Sequence, residues 1–407
     1  MSFQSFIWQS EPPKDCPFAK SELYSGIRFT GKSRHYAVGD TFYPSWASDG
    51  KLYSPFTDGV TDRVCSSSQI CGFTAENGHF LIDTTSTTGQ AILEGDDPLN
   101  LKITALENHY ASSHPYAGRY PCGSLVYNGI WYYGTYCLGP YSTTRYGNYV
   151  YNWPHLGPFV GFRISRDFGK TWEDCPHSPD RSIFDECGLG GYPVKIGSPH
   201  FVDFGQNMEH SPDGKAYLVA HGSDLKFYPV AVENFAHNSW ITGDQIYLIR
   251  VTPSPETIND PHAYEFYAGK DEKGLAIWTH DFAKIQPLLE WQNNMGCVTI
   301  TYNAAKRRYF MAITDGRTTV SKMNTYILES ESLTGEWKLV VYMKDFGEQA
   351  YFVNFPSKFI SFDGEKMWIC YSGNFAKGWN GEVIESNPPD SAYGMVLQEI
   401  EFCKLTD

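Results

Sequence analysis

The sequence contains no apolar run approaching the ~20 residues that a membrane-spanning helix needs. It has no CxxC pair, which removes zinc ribbons and thioredoxin-like redox motifs, and no N-x-[ST] acceptor for N-linked glycans. Helical periodicity is nearly missing: only Asp281 to Trp291 has room for a short helix, and Pro287 limits it. Charged residues are sparse at 19%, and 46 acidic against 32 basic side chains give a net charge of −14. A nucleic-acid binder needs a basic stripe, so that class is disfavoured. An anionic substrate held by a few local Arg and His is not.

What the chain does have is aromatic mass. Its 28 Tyr, 26 Phe and 11 Trp make up 16% of 407 residues, which excludes disorder. The 37 Gly and 24 Pro follow no three-residue period, which excludes a collagen-like chain. The length suffices for one large β domain or two ordinary domains. Among ten Cys, the pairs Cys65/Cys71 and Cys175/Cys187 are close enough in sequence to close small disulfide loops. Disulfides imply an oxidising compartment, while Met1-Ser2-Phe3 starts no signal peptide. A mature secreted protein with an added Met is therefore expected, ahead of a cytosolic protein with free thiols.

Short alternating runs of Tyr, Val, Ile, Phe and Trp, bounded by Gly, Asn and Asp, indicate an all-β fold. Five segments share one form: a small or Pro-bearing entry, a strand, a turn and a second aromatic strand. They begin at Tyr43-Pro44-Ser45, Tyr120-Pro121-Cys122, Ser198-Pro199-His200, Met295-Gly296-Cys297 and Phe355-Pro356-Ser357. Turns such as Asn128-Gly129 and Asp213-Gly214 supply the positive φ of tight hairpins. Ser165-Arg166-Asp167-Phe168-Gly169-Lys170-Thr171-Trp172 resembles the Asp box of sialidase-like β-propellers, and Ser330 to Trp337 is a weaker echo. Five clear units with room for degenerate ones predict a β-propeller of five to seven blades, with seven favoured at about 58 residues each. No linker divides residues 1–407, so a single domain is expected; a two-sheet sandwich is the alternative.

In a propeller, the loops entering each first strand and leaving each second strand converge on one mouth. Asp40, His109, His114, Arg119, His200, Asn293 and Asn294 fall on entries; Asp58, Arg63, Arg145, Tyr146, His221, Asp315, Arg317 and Asn374 fall on exits. His200 and His221 top two neighbouring strands, which lie ~5 Å apart, so both rings could face one substrate. Arg317 suits bidentate capture of a carboxylate. Plain structural readings stand beside these: channel lining for the His pair, a solvated loop for Arg317, core packing for Tyr302, turn capping for Asp58 and Asp315. Glycoside hydrolysis wants two carboxylates, one with a raised pKa. Elimination on a uronate wants a cation, a base and an acid, which a His/His/Tyr/Arg set supplies better.

The runs Gly39 to Trp46, Tyr53 to Gly59, Tyr127 to Tyr136 and Glu209 to Lys215 resemble secreted seven-bladed propeller polysaccharide lyases. The resemblance is nearest to the L-rhamnose-α-1,4-D-glucuronate lyases, which trim gum arabic-type arabinogalactan side chains; a related group hydrolyses that linkage. Ulvan lyases on this propeller use a His pair followed by a Tyr and an Arg. The spacings here, 21 residues for His200/His221 and 15 for Tyr302/Arg317, carry those roles to these four as catalytic residues. His109, Arg145, Tyr146, Asn293, Asp58 and Trp379 are expected to bind sugar rings. The resemblance implies an exo-acting, secreted, monomeric lyase on an acidic polysaccharide or glycoprotein glycan, with no nucleic-acid or membrane partner. No cofactor is required, no metal-ligand spacing is present, and a structural calcium in the channel is compatible with the sequence. The alternatives are a hydrolase on the same linkage and a non-catalytic glycan-binding propeller.

Overall fold

A computed structural model describes residues 3–68, 72–73, 80–81, 85–139, 144–146, 149–151, 155–189, 192–224, 239–316, 323–373 and 387–405. These residues contain strands and short 3₁₀ turns but no α-helix, and no helix long and apolar enough to cross a membrane.

Five antiparallel sheets of three or more strands account for the fold. Sheet 1 runs Ser45–Trp46, Leu52–Thr61, Thr85–Glu94 and Lys102–Ala105, with Val38–Asp40 and Val64–Ser66 also on Leu52–Thr61, and His109–Ser112 also on Thr85–Glu94. Sheet 2 is Gly118–Tyr127, Ile130–Leu138 and Leu156–Ser165. Sheet 3 is His200–Phe201, Ala216–Gly222, Gly243–Val251, Glu265–Lys270 and Ala276–Thr279, joined by Leu289–Met295. Sheet 4 is Val298–Asn303, Arg308–Asp315, Asn324–Ser330 and Lys338–Met343. Sheet 5 mixes the two ends of the chain: Tyr351–Asn354, Lys366–Ser372 and Val396–Lys404 pair onward to Tyr24–His35 and Phe6–Ile7.

The first strands touch in sequence around an axis. Gly118–Tyr127 meets Ser45–Trp46 on one side and His200–Phe201 on the other; Val298–Asn303 meets His200–Phe201 and Tyr351–Asn354; Lys366–Ser372 meets Val38–Asp40. The ring thus closes on five sheets, a β-propeller rather than a sandwich. Each of the five repeats seen in the sequence founds one sheet. Among the described residues five such sheets are present; the seven blades expected from length are not shown, and the additional described strands join sheets 1 and 3 and, at the amino terminus, sheet 5.

Local chemistry explains the elements. Asn128 and Gly129 both hold positive φ, 51° and 80°, closing the two-residue hairpin between Tyr127 and Ile130. Asp167 ties the turn after Leu156–Ser165: its carboxylate accepts from the Lys170 and Thr171 amides and from the Thr171 and Ser165 hydroxyls. Trp172 then packs against Trp131 and Tyr133. The short helix expected near Asp281 shrinks to the 3₁₀ turn Phe282–Lys284, capped by Asp281, before the chain extends into Leu289–Met295. Pro287 forces this, since it disfavours helical geometry at Gln286, whose amide instead donates to Tyr267 O at 2.8 Å.

The expected disulfides are not formed. Cys65, Cys175 and Cys187 form no disulfide; Cys71 lies outside the described residues. Cys122, Cys137, Cys297 and Cys370 are buried and serve as small apolar side chains. Burial pushes their thiols up, to about 12 for Cys137 and Cys370.

Candidate active site

All five sheets contribute to one cavity on the axis, lined among others by Tyr43, Ser124, His200, Thr299 and Asn354. It is small, about 50 Å³, room for one or two waters.

At this cavity, which Tyr43 and His200 line, an aromatic collar comes together. The His200 and Tyr43 rings lie 3.9 Å apart; Tyr43 packs edge-on to Phe352 at 5.7 Å; Phe352 lies 5.5 Å from Trp240, and Trp240 5.1 Å from Tyr351. The Tyr351 hydroxyl then donates to Asp40 Oδ2 at 3.0 Å. The collar therefore runs from an imidazole at one end to a carboxyl at the other. Two buried polar atoms on it, Tyr43 Oη and His200 Nδ1, have no hydrogen-bond partner among the described residues. Leaving such an atom unpaired costs about 1–3 kcal/mol, so both mark a place where a polar ligand would be welcome.

Asp40 sits where Val38–Asp40 enters sheet 1. Burial, and next the charge of Asp58, push its carboxyl up to about 8, against the opposing pull of the Thr41, Tyr351 and Tyr393 hydroxyls. Thr41 donates to Oδ1 at 2.6 Å, and Tyr393 reaches Oδ2 at 3.4 Å while donating to Asp58 O at 2.7 Å. Asp58 is only half-buried, and its Oδ1 accepts from the Ser68 amide at 2.8 Å. At neutral pH Asp40 is thus a protonated acid beside a second carboxyl group.

His200 lies directly opposite Val219, and His221 two residues further along that strand, so alternation points both rings to one face of sheet 3. Burial, then the neighbouring His221, bring the His200 imidazole down to about 3; burial brings His221 to about 4. Both are neutral at pH 7. His221 Nε2 contacts Ser239 O at 2.9 Å, which makes that nitrogen the donor and leaves Nδ1 as a bare acceptor.

The remaining sequence candidates divide. Tyr302 stands near the far end of its strand, its ring against His210 and Tyr309 rather than His200. Asn293 takes a positive φ of 60° and donates its amide to Asp244 Oδ1 at 2.8 Å; Asp244 Oδ2 accepts from Ser223, two residues past His221. His109 lies away from the axis, in a cavity between sheets 1 and 2 together with Arg119 and Arg163. Arg145 and Tyr146 belong to the strand Thr144–Tyr146 paired with Tyr149–Tyr151, their side chains outside what is described. Arg317 and Trp379 lie outside the described residues. Of the other carboxylates, Asp203 ties sheets together, accepting from the Ser357 amide and hydroxyl and the Gly205 amide. Tyr43, Trp240, Tyr351 and Tyr393 were not singled out as site residues by sequence; Pro44, next to Tyr43 and just before the strand Ser45–Trp46, was the available signal for Tyr43. Among the described residues, no group of three or more His, Cys, Asp or Glu is placed to hold a metal ion.

No family model and no curated protein matches the sequence. Solved structures with a similar chain path include a protein of Bacteroides ovatus, 13% identical, covering 96% of this chain and 96% of its own, at a TM-score of 0.47. The family 117 glycoside hydrolase Zg3597 of Zobellia galactanivorans is 10% identical, covering 95% of this chain and 93% of its own, at 0.44. The Bacillus subtilis arabinanase Arb43A is 11% identical, covering 78% and 90%, at 0.34. The strand pairing alone establishes the ring.

Proposed function

We propose that this chain is a glycan-cleaving enzyme that breaks a glycosidic bond by hydrolysis, with Asp40 as the proton donor. The observation that carries this reading is the buried carboxyl of Asp40, held protonated by burial and by Asp58. A glycosidase needs such an acid together with a second, ionised carboxylate. Asp40 would protonate the departing sugar oxygen. Asp58, nearer solvent, would be the carboxylate that takes a proton from water; the water's hydroxyl bonds to the anomeric carbon as the glycosidic C–O bond breaks, and the aglycone leaves with the proton from Asp40. The collar of Tyr43, Trp240 and Phe352 supplies flat apolar faces of the kind that sugar rings stack on.

A second reading is favoured by one observation: His200 and His221 are neutral, share a face, and each keeps an Nδ1 with no hydrogen-bond partner among the described residues. In that reading the enzyme is an exo-acting lyase on a terminal L-rhamnose-α-1,4-D-glucuronate linkage. One His removes the C5 proton, Arg317 neutralises the carboxylate, and a phenol protonates the leaving oxygen. Tyr43, whose ring lies against His200, fits that last role better than Tyr302. Either reading takes an acidic polysaccharide or glycoprotein glycan as substrate outside the cell, worked on by a monomer.

Incubation with arabinogalactan protein separates the two. New reducing sugar without the ultraviolet absorbance of a 4,5-unsaturated uronate supports hydrolysis; both together support elimination. Retained binding with neither product would leave a glycan-binding propeller and overturn the enzyme.

A further inference from the structure

The cavity between sheets 1 and 2 has a volume of about 290 Å³, several times that of the axial one. Its walls carry two guanidinium groups. Arg163 is buried, donating from Nη1 to Thr88 Oγ1 at 2.8 Å and from Nη2 to Gln90 Oε1 at 2.6 Å. Its Cζ lies 3.7 Å from the centre of the Tyr133 ring and 4.5 Å from that of Trp172. Arg119 donates from Nε to Thr135 Oγ1 at 2.9 Å and from Nη1, at a longer 3.4 Å, to Ser112 O. No described carboxylate pairs with either guanidinium; the acid lining the cavity, Asp174, is exposed and lies 3.4 Å from His109 Nε2.

Two like charges in one largely buried place are costly without a counter-ion, and an arginine cannot escape by losing its proton. The π faces of Tyr133 and Trp172 support Arg163 but offer nothing to Arg119. Burial, then the charges of Arg163 and Arg119, bring the His109 imidazole down to about 3, so it stands neutral beside the two guanidinium groups. The hydroxyls of Thr88 and Ser112 also line the cavity, while that of Ser86 is taken up by Ser68 O at 2.7 Å.

We propose that this cavity is an anion-binding site, separate from the axial opening, that takes a small oxyanion on the Arg119 guanidinium. The shared chemistry is that of a sugar-acid carboxylate or of free sulfate or phosphate. A planar fork with donors left over matches two oxygens of such a group. The site does not depend on which reaction the axis performs.

Calorimetric titration of the intact chain with sodium sulfate, sodium glucuronate and glucose, at constant ionic strength, tests this. Saturable binding of at least one anion and none of glucose is expected, and Arg119→Gln should weaken it at least about tenfold. Tighter glucuronate assigns the site to a sugar acid; tighter sulfate assigns it to an inorganic oxyanion. Absence of saturable anion binding, or equal binding by Arg119→Gln, overturns the proposal. Should that variant not fold, crystals of the unaltered chain soaked in bromide decide: an anomalous peak against Arg119 supports the site, and an empty cavity refutes it. Cleavage assays on Arg119→Gln keep the two readings apart, because loss of anion binding is expected without loss of turnover.

Discussion

The axial collar and the cavity between sheets 1 and 2 bury titratable groups in opposite ways. On the axial collar Asp40 keeps its proton, and His200 and His221 give theirs up. Between the sheets Arg163 stays cationic, brought down only to about 10. The lesson is that burial selects the uncharged form where one is accessible near neutral pH, and selects partners where none is. A buried acid with its proton is a reagent. A buried guanidinium is a receptor.

Substitutions that separate the two regions give the largest effects. Asp40→Asn should lower turnover roughly 10²–10⁴-fold while Arg119→Gln stays near the unaltered rate, measured as sugar release under saturating substrate. A comparable loss in both would merge the two regions into one site. Arg163→Ala should cost about 2–4 kcal/mol in urea unfolding, because it strips the packing on Tyr133 and Trp172 and removes the guanidinium donors to Thr88 Oγ1 and Gln90 Oε1.

The acid limb of stability sharpens the contrast. His200 and His221 have folded pKa values of about 3 and 4, below the unfolded value of ~6.5. The unfolded chain therefore binds more protons between those limits, and stability present above pH ~6.5 is lost as pH falls towards 4. A His200→Gln/His221→Gln variant should show a shallower decline over that window by thermal unfolding. Asp40 has the reverse sign: its raised pKa makes stability fall as pH rises from ~4 to about 8, a slope that Asp40→Asn should flatten. The smallest effect expected is at Asp167, whose carboxyl is held down to about 2, first by the Thr171 hydroxyl and then by its amide. Asp167→Ala should lower the melting temperature modestly near neutral pH and converge with the unaltered chain below pH 2.

Much of this architecture was legible in the sequence. Alternating aromatic strands located the first hairpin of every sheet, and Asn-Gly or Asp-Gly turns did so in four of the five, because those signals are local. The number of sheets was not legible, since strands such as Leu289–Met295 join an existing sheet through pairing that no short motif records. The same limit applies at the site. His200 and His221 were found because they share a blade. Asp40 was seen only as an entry residue, because its importance comes from Tyr351 and Tyr393, more than 300 residues away in the chain. His109 was placed at the shared mouth by position in the repeat, whereas its packing against sheet 2 puts it with Arg119 and Arg163.

The most direct test of the account is the pH–rate profile of sugar release from arabinogalactan protein by the unaltered chain beside Asp40→Asn. The account predicts release that declines as pH rises through about 8 and is nearly abolished at every pH in the variant. Release by Asp40→Asn at the unaltered rate would contradict it.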